Sequence, residues 1–460
     1  MTNENESEQI ARLELEIGEL RGVNDELRRT VEQLRRELEE WKRGHRIRDR
    51  KRRGHKAKPA PGGGEVKRKS GRPPGHEGAG RPGPERVDNV VVCRTDGGCP
   101  CGGELLELGV GRRHRVEDLV ITVEVTEYQC MCQRCERCGT VTEAPLPAHL
   151  GGAPKVGPRA QAVAMALRFD AGLPVSAISR VFGEIFSLPF SPGGLSQMFE
   201  RNIAKFEPAT VEVHNRLLDE PLIFADETGW WTDGSRAWLF AVTTPKLSVF
   251  HISRRRNRVT FEAMVPTDYP GIIATDAYSV YDNLPETRHP QCWGHVLRTA
   301  RDIAEIHGDA KDAFLRDEIS AFITAAKAHR DVEWPSPGTR ATAQAAFEAV
   351  IAAGSDASHP KLVTLGARLN RNRIRYLLCL GDKTVPLTTN QVERDLRGHI
   401  AVRKLSFGTR NPRGCLQWAQ GTTLSKTLRK QGKRLVDYVP KALATVTSDG
   451  TPLSVFADST

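Results

Sequence analysis

A chain of 460 residues, 39% of them hydrophobic and 27% charged, fits a soluble globular protein with room for two or three domains. No apolar run approaches the length of a bilayer span, and the polar, acidic N-terminus does not read as a secretory signal, so membrane insertion and export are both unexpected. The formal charge of +10 and a pI near 9.2 point to a polyanionic partner, nucleic acid being the usual one.

Residues 8–45 read as a coiled-coil dimerisation helix. Over 10–41 a heptad puts Ile10, Ile17, Asn24, Val31 and Leu38 at position a, and Leu13, Leu20, Leu27, Leu34 and Trp41 at position d. That seam supercoils two helices, and a single Asn at a is a device that fixes register and strand number. An ordinary amphipathic helix would show a wider stripe without the Asn.

Residues 46–90 form a basic linker rich in Pro and Gly, with Pro59-Ala60-Pro61-Gly62-Gly63-Gly64 and Gly71-Arg72-Pro73-Pro74 at its centre. Such density prevents a packed core. Arg52, Arg53, Lys69 and Arg72 are candidates for salt-sensitive phosphate contacts, in the manner of extended arms that enter minor grooves; a solvated linker is the plainer alternative.

Seven of the ten cysteines fall between Cys93 and Cys138. Without an export signal, metal ligation is the first reading for such a cluster. Cys135-x-x-Cys138-Gly139 has knuckle spacing, and Cys99-Pro100-Cys101-Gly102 is a compressed counterpart. Residues 91–150 therefore read as a zinc ribbon, with Cys99, Cys101, Cys135 and Cys138 holding a structural Zn²⁺ and a strand expected over Asp118–Tyr128. Cys93, Cys130 and Cys132 are spare ligands. The competing reading is a set of free thiols.

Residues 155–217 read as short helices: one over Ala160–Phe169, a second starting near Val175, and a third capped by Ser191 with Pro192 at its first turn. They suit either a helix-turn-helix that meets DNA or a bundle that only packs. Residues 218–285 then run strand, strand, strand, helix, strand. The first strand ends in Asp226, a hairpin joins Trp238–Val242 to Leu247–Ile252, a short helix covers Asn257–Met264, and Ile272–Thr275 leads to Asp276. Unpaired buried carboxylates are costly, so two at strand ends suggest a shared divalent cation. This order resembles the ribonuclease-H-like fold. Residues 293–380 are mainly helical, and Thr388-Thr389-Asn390 opens a late helix with Asn390, Glu393 and Arg397 on one face.

Five motifs in order carry a family likeness: Asp226-Glu227-Thr228; Thr275-Asp276-Ala277-Tyr278; Cys292-Trp293-Gly294-His295-Val296-Leu297-Arg298; Asn390-Gln391-Val392-Glu393-Arg394-Asp395-Leu396-Arg397; and Arg403-Lys404-Leu405-Ser406-Phe407-Gly408-Thr409. Together they resemble the transposases of the bacterial insertion sequence 66 family. The likeness implies a multidomain α+β protein: N-terminal coiled coil, zinc ribbon, helical DNA-binding region, and a ribonuclease-H-like catalytic domain over 218–430, interrupted by a helical insertion at about 296–385. Residues 431–460 are left as a C-terminal tail. It further implies a DDE carboxylate triad of Asp226, Asp276 and Glu393 holding two Mg²⁺ (or Mn²⁺) ions about 3.5–4 Å apart for DNA cleavage and strand transfer. Glu227 should point to the opposite face of its strand from Asp226, and Asp395 to a different helix face from Glu393. His295 suits either phosphate orientation or a core role, and Arg397, Arg403 and Lys404 suit either DNA-backbone contacts or a solvated basic face. Element-end and target DNA, a homodimer or higher oligomer through the coiled coil, and accessory proteins are the implied partners, in a bacterial cytoplasm near the nucleoid. The alternatives are a non-catalytic DNA-binding regulator that keeps the fold and, with less use for a zipper and arm, a stand-alone metal nuclease.

Overall fold

The structure, a computed structural model, describes residues 25–26, 31–33, 86–93, 110, 112–146, 156–332, 336–444 and 453–456. Residues 25–26 and 31–33 are helical; the rest of the expected coiled coil, the linker residues Arg52, Arg53, Lys69 and Arg72, and the cysteine pair Cys99 and Cys101 lie outside the described residues. The chain divides into two units, Met1–His55 with Glu127–Thr460, and Lys56–Thr126. The described residues of the second unit form no helix or strand, so the strand expected over Asp118–Tyr128 is absent. Leu119, Val120 and Val125 are all exposed, and alternation alone does not hold a strand that pairs with nothing.

In the first unit, β1 (Cys132–Arg134) and β2 (Val141–Glu143) pair antiparallel, Cys132 opposite Glu143. The turn between them closes with Gly139 N donating to Cys135 O (2.8 Å) and Cys135 N donating to Thr140 O (2.8 Å). Gly139 sits at φ +72, which a residue without Cβ adopts at no steric cost.

Four helices lead into the sheet: α1 (Pro158–Met165), continued by a π turn over Ala166–Asp170, α2 (Val175–Glu184), α3 (Pro192–Lys205) and α4 (Glu207–Leu218). Ser191 caps α3, its Oγ accepting from Gly194 N at 3.1 Å. Their apolar faces are spent on the main core, where Phe169 meets Phe199 edge to face at 5.5 Å.

The sheet holds β3 (Leu222–Thr232), β4 (Ser235–Thr243), β5 (Ser248–Ser253) and β6 (Ile272–Ala274) in the order β5-β4-β3-β6. The first strand does not end at Asp226. It continues to Thr232 because β4 pairs with it from Phe224↔Thr243 to Thr232↔Ser235. Asp233 and Gly234 make the hairpin turn, with φ values of +53 and +66, the both-positive turn that matches strand twist. β6 joins the other edge of β3 in parallel, Leu222↔Ile272 to Phe224↔Ala274. Between β5 and β6, α5 (Arg258–Glu262) is capped by Asn257, whose Oδ1 accepts from Thr260 N.

A helical block follows: α6 (Trp293–His307), α7 (Ala310–Asp331), α8 (Pro337–Ser355), α9 (Pro360–Arg371) and α10 (Arg373–Leu377). It has its own core, with Trp293 against Phe322 (4.1 Å), Tyr376 (5.2 Å) and Phe347 (6.0 Å). The chain then returns to the first core through α11 (Asn390–Ser406) and α12 (Pro412–Lys430). α12 lays Trp418 on Trp230 of β3, ring centroids 5.9 Å apart and stacked. Part of the expected tail is a packed helix, α13 (Leu435–Ala444), which buries Leu435, Tyr438 and Val439; the apolar spacing of those residues outweighs Pro440. Among the described residues no helix is long and apolar enough to cross a membrane.

The C-terminus of α11 is fastened to the end of β3. Phe407 and Gly408 take φ +54 and +93, Thr409 N donates to Trp231 O (2.9 Å), and Asp233 N donates to Thr409 O (3.0 Å). A Cβ on Gly408 would lie 2.2 Å from Trp231 O, a backbone atom that cannot move alone. Gly408→Ala is therefore expected to destabilise the fold by about 1–3 kcal/mol in urea unfolding, from the clash and the positive φ together; an unchanged midpoint would show that the close approach is not needed.

Candidate active site

The register of two strands brings the first two carboxylates together. β3 and β6 run parallel with Phe224 opposite Ala274, and two residues further along each chain stand Asp226 and Asp276. Asp226 Oδ1 accepts from Glu227 N (2.8 Å), and Asp276 Oδ1 accepts from Tyr278 N (2.9 Å). Burial, followed by the negative charges of Asp276 and Glu227, raises the Asp226 carboxyl from 3.8 to about 7.

Glu393 enters from α11, in the first turn after Thr389. It accepts from Arg298 Nη2 at 3.1 and 3.2 Å through its two oxygens, and His295 Nε2 stands 3.6 Å from Oε1. The same His295 is raised to about 9: the Cys292 thiol contributes most, burial opposes it, and Asp226 and Asp276 add to it. His295 thus stands beside Glu393, senses the charges of Asp226 and Asp276, and is half-buried. Two helix N-termini meet here, because Thr389 N donates to Cys292 Sγ (3.2 Å) and Trp293 N to Leu387 O (3.0 Å), joining the starts of α6 and α11. Their dipoles favour anions at this end.

The loop bearing Asp276 is braced from behind. Arg375 of α10 donates to His289 Nδ1 (2.7 Å), His289 Nε2 donates to Thr275 Oγ1 (2.7 Å), and Thr275 Oγ1 donates to the Asp276 carbonyl (2.6 Å). Burial and then the Arg375 charge lower His289 to about 3, so the ring is neutral and fits this donor order.

Glu227 serves another purpose. Its fully buried side chain pairs with Arg256, with Nε and Nη2 at 2.8 and 2.5 Å, and accepts from Tyr281 Oη. Arg256 lies between the rings of Tyr278 (3.6 Å) and Trp238 (4.3 Å). Asp395 is likewise occupied, by Lys430 Nζ (2.6 Å) and Ser248 Oγ (3.2 Å). Both acids are structural. Arg256, Arg298 and the Arg375–His289 brace were not singled out from the sequence; Arg298 stood in the Cys292–Arg298 motif, but helical spacing cannot show a pairing with another helix.

The other site residues fall as follows. Arg397 and Lys404 are exposed on α11. Arg403 is half-buried and turned back onto β3, donating to the Gly229 carbonyl and to Thr228 Oγ1. Cys135 and Cys138 are exposed thiols in the turn between β1 and β2, and hydrogen bonding with Thr140 lowers Cys138 from 9.0 to about 7. No three His, Cys, Asp or Glu side chains among the described residues stand as a ready-made metal cage. The residues that could hold a hard cation are Asp226 and Asp276, with Glu393 after release from Arg298. Their oxygen donors and the mutual repulsion that a cation would relieve fit that role. Buried polar atoms without a partner, the Gln291 amide and Thr389 Oγ1, flank the same junction, as groups do where a water or ion belongs.

Comparison with known proteins agrees in outline. The family model for the Transposase IS66 family matches residues 155–416. An uncharacterised protein of Sinorhizobium fredii, y4qI, is 23% identical over 405 residues, covering 80% of this chain and 74% of that protein. A second from the same organism, y4jO, is 28% identical over 159 residues, 33% of this chain and 46% of that protein.

A carboxyl whose folded pKa lies above its unfolded value loses stability as pH rises from the unfolded value through the folded one, because the unfolded chain gives up its proton first. For Asp226 that window runs from 3.8 to about 7. In chelator-treated protein, Asp226→Asn should gain on the wild type in thermal midpoint as pH is raised through the window, by several degrees at its upper end. A gap independent of pH in scanning calorimetry would refute the raised pKa.

Proposed function

The chain belongs to the IS66 transposase family, and from that membership we propose that it binds the ends of its element and cleaves and joins DNA by metal-dependent phosphoryl transfer at Asp226, Asp276 and Glu393. The observation that carries this reading is the parallel register of β3 and β6 leading to two neighbouring carboxylates, with Glu393 tied to the same neighbourhood by His295. The sheet order, two antiparallel hairpins with a parallel strand added at the first strand's edge, also supports a ribonuclease-H-like catalytic domain.

In this reading two Mg²⁺ (or Mn²⁺) ions supply activation of the attacking oxygen and stabilisation of the leaving one. The remaining work belongs to the chain. Asp226, Asp276 and Glu393 are the residues that would hold the ions, Asp226 with its buried carboxyl at the centre of the group. His295 and Arg298 hold positive charge at the site beforehand and are placed to meet the phosphate being cut. Arg397 and Lys404 guide the DNA backbone, while Arg403 braces the strand that bears Asp226. The linker basics Arg52, Arg53, Lys69 and Arg72 add sequence-independent contact. Cys135 and Cys138 form half of a structural zinc site completed by Cys99 and Cys101. The N-terminal heptads make a homodimer or larger assembly, and accessory proteins act beside it in a bacterial cytoplasm.

Three measurements test this. Asp226→Asn, Asp276→Asn and Glu393→Gln should each lower Mg²⁺-dependent cleavage of element-end DNA at least about a hundredfold while leaving DNA binding intact. Undiminished cutting would remove the triad, and end binding without cutting by the wild type would leave a non-catalytic regulator. Added Mg²⁺ or Mn²⁺ should raise the thermal midpoint by mass action, with about 2.7 kcal/mol gained at a hundred times Kd, and Asp226→Asn should abolish the shift. Metal analysis should find zinc in the purified protein and none after Cys135→Ser, and a zinc-free wild type would dispose of the ribbon.

A further inference from the structure

We propose that Trp231 and Phe407 form a stacking platform for unpaired nucleobases of bound DNA, an inference that rests on the DNA-joining reading. Three large apolar side chains stand in solvent around the junction of β3 and α11: Trp231 at 44% exposure, Leu405 at 67% and Phe407 at 77%. Phe407 occupies the left-handed region at φ +54, where a residue with a side chain is strained. Its backbone closes α11, Phe407 N donating to Arg403 O (3.0 Å), but its exposed ring adds no burial to the fold. The platform is nonetheless rigid. Gly408 is pressed against the Trp231 backbone, and Thr409 hydrogen-bonds on both sides of it, to Trp231 O and Asp233 N. The backbone segments that carry the two residues are therefore joined by direct contacts rather than by loose loops.

The charges select the occupant. Across 229–236 and 403–410 the chain carries Arg236, Arg403, Lys404 and Arg410 against a single carboxylate, Asp233. Arg236 faces Trp231 across the strand pair, and Lys404 and Arg410 are exposed on either side of Phe407. Flat aromatic faces set among cations match a strand of bases joined by phosphates, and paired bases in a duplex offer no free face to them. Trp231 stands five residues along β3 from Asp226, about 17 Å, and by the strand's alternation on the opposite face of the sheet. The platform is thus a surface separate from the acidic site.

The test uses the full-length protein with three oligonucleotides of one sequence, each carrying 2-aminopurine: a single strand, a perfect duplex, and a duplex with a five-nucleotide mismatched end. Wild type should quench the fluorophore in the single strand and in the mismatched end. Phe407→Ala and Trp231→Ala should each weaken binding to those two about tenfold while leaving affinity for the perfect duplex unchanged. Phe407→Tyr should retain the binding. Phe407→Gly separates this role from a structural one, because it relieves the positive φ: its thermal midpoint should rise while single-strand affinity falls as in Phe407→Ala. Equal affinities across all variants would overturn the platform. So would variants that bind every oligonucleotide normally but lose self-association in sedimentation, which would make this face a contact between copies. If the platform fails while duplex ends are still bound and cut, the transposase reading stands; if no DNA is bound or cut, that reading falls and the platform with it.

Discussion

Two carboxylates that repel each other are held side by side by a strand register, and much of the surrounding architecture answers that repulsion. β6 is only three residues long, yet its parallel pairing with β3 decides that Asp226 and Asp276 emerge together. The cost shows in the Asp226 carboxyl, held near neutrality by burial and by its neighbours. The compensation comes from outside the sheet. α6 and α11 bring their N-termini to the same end, and α6 adds His295 and Arg298 as cations. A group of acids stabilised by movable positive charge is suited to exchanging that charge for another cation.

The helical block is therefore more than an inserted domain with its own core. Trp293 opens α6 and is buried deep among Phe322, Phe347 and Tyr376, so the helix that carries His295 and Arg298 starts from a fixed point. Arg375, from the last helix of the block, reaches the Asp276 carbonyl through His289 and Thr275. Removing any member of that chain would leave another buried polar group unpaired, the costly case for internal hydrogen bonds. The sheet supplies the acids and the block orders them.

How much of this could be read from the sequence depends on the length scale of each signal. Local signals were legible: the cap Ser191, the short helix after Asn257, the β4–β5 hairpin, and the helices after Trp293. The β3–β4 hairpin was missed although Asp233-Gly234 announces it; the aromatic run after Asp226 read as a strand end because the turn signal lay seven residues on. Alternation over Asp118–Tyr128 suggested a strand, but pairing requires a partner that periodicity does not reveal. Asp226 and Asp276 stood out as carboxylates at the ends of apolar runs. Glu393 did not, being one acid among several on a polar helix, and only the family likeness singled it out. Its partner Arg298 lies 95 residues away, and no spacing rule spans that separation.

α11 is pinned at both ends, by Thr389 against Cys292 and by Thr409 against Trp231, and it runs 17 residues between them, about 26 Å at 1.5 Å per residue. Such a strut tolerates no change of length. One residue added within it would turn Glu393 about 100° relative to the distal anchor. The loops between α6 and α10 face no such demand, since both ends of that block are fixed by Trp293 and Arg375 whatever lies between. A change in chain length is thereby better borne by the helical block, while the stretch from Thr389 to Thr409 acts as a gauge of fixed length.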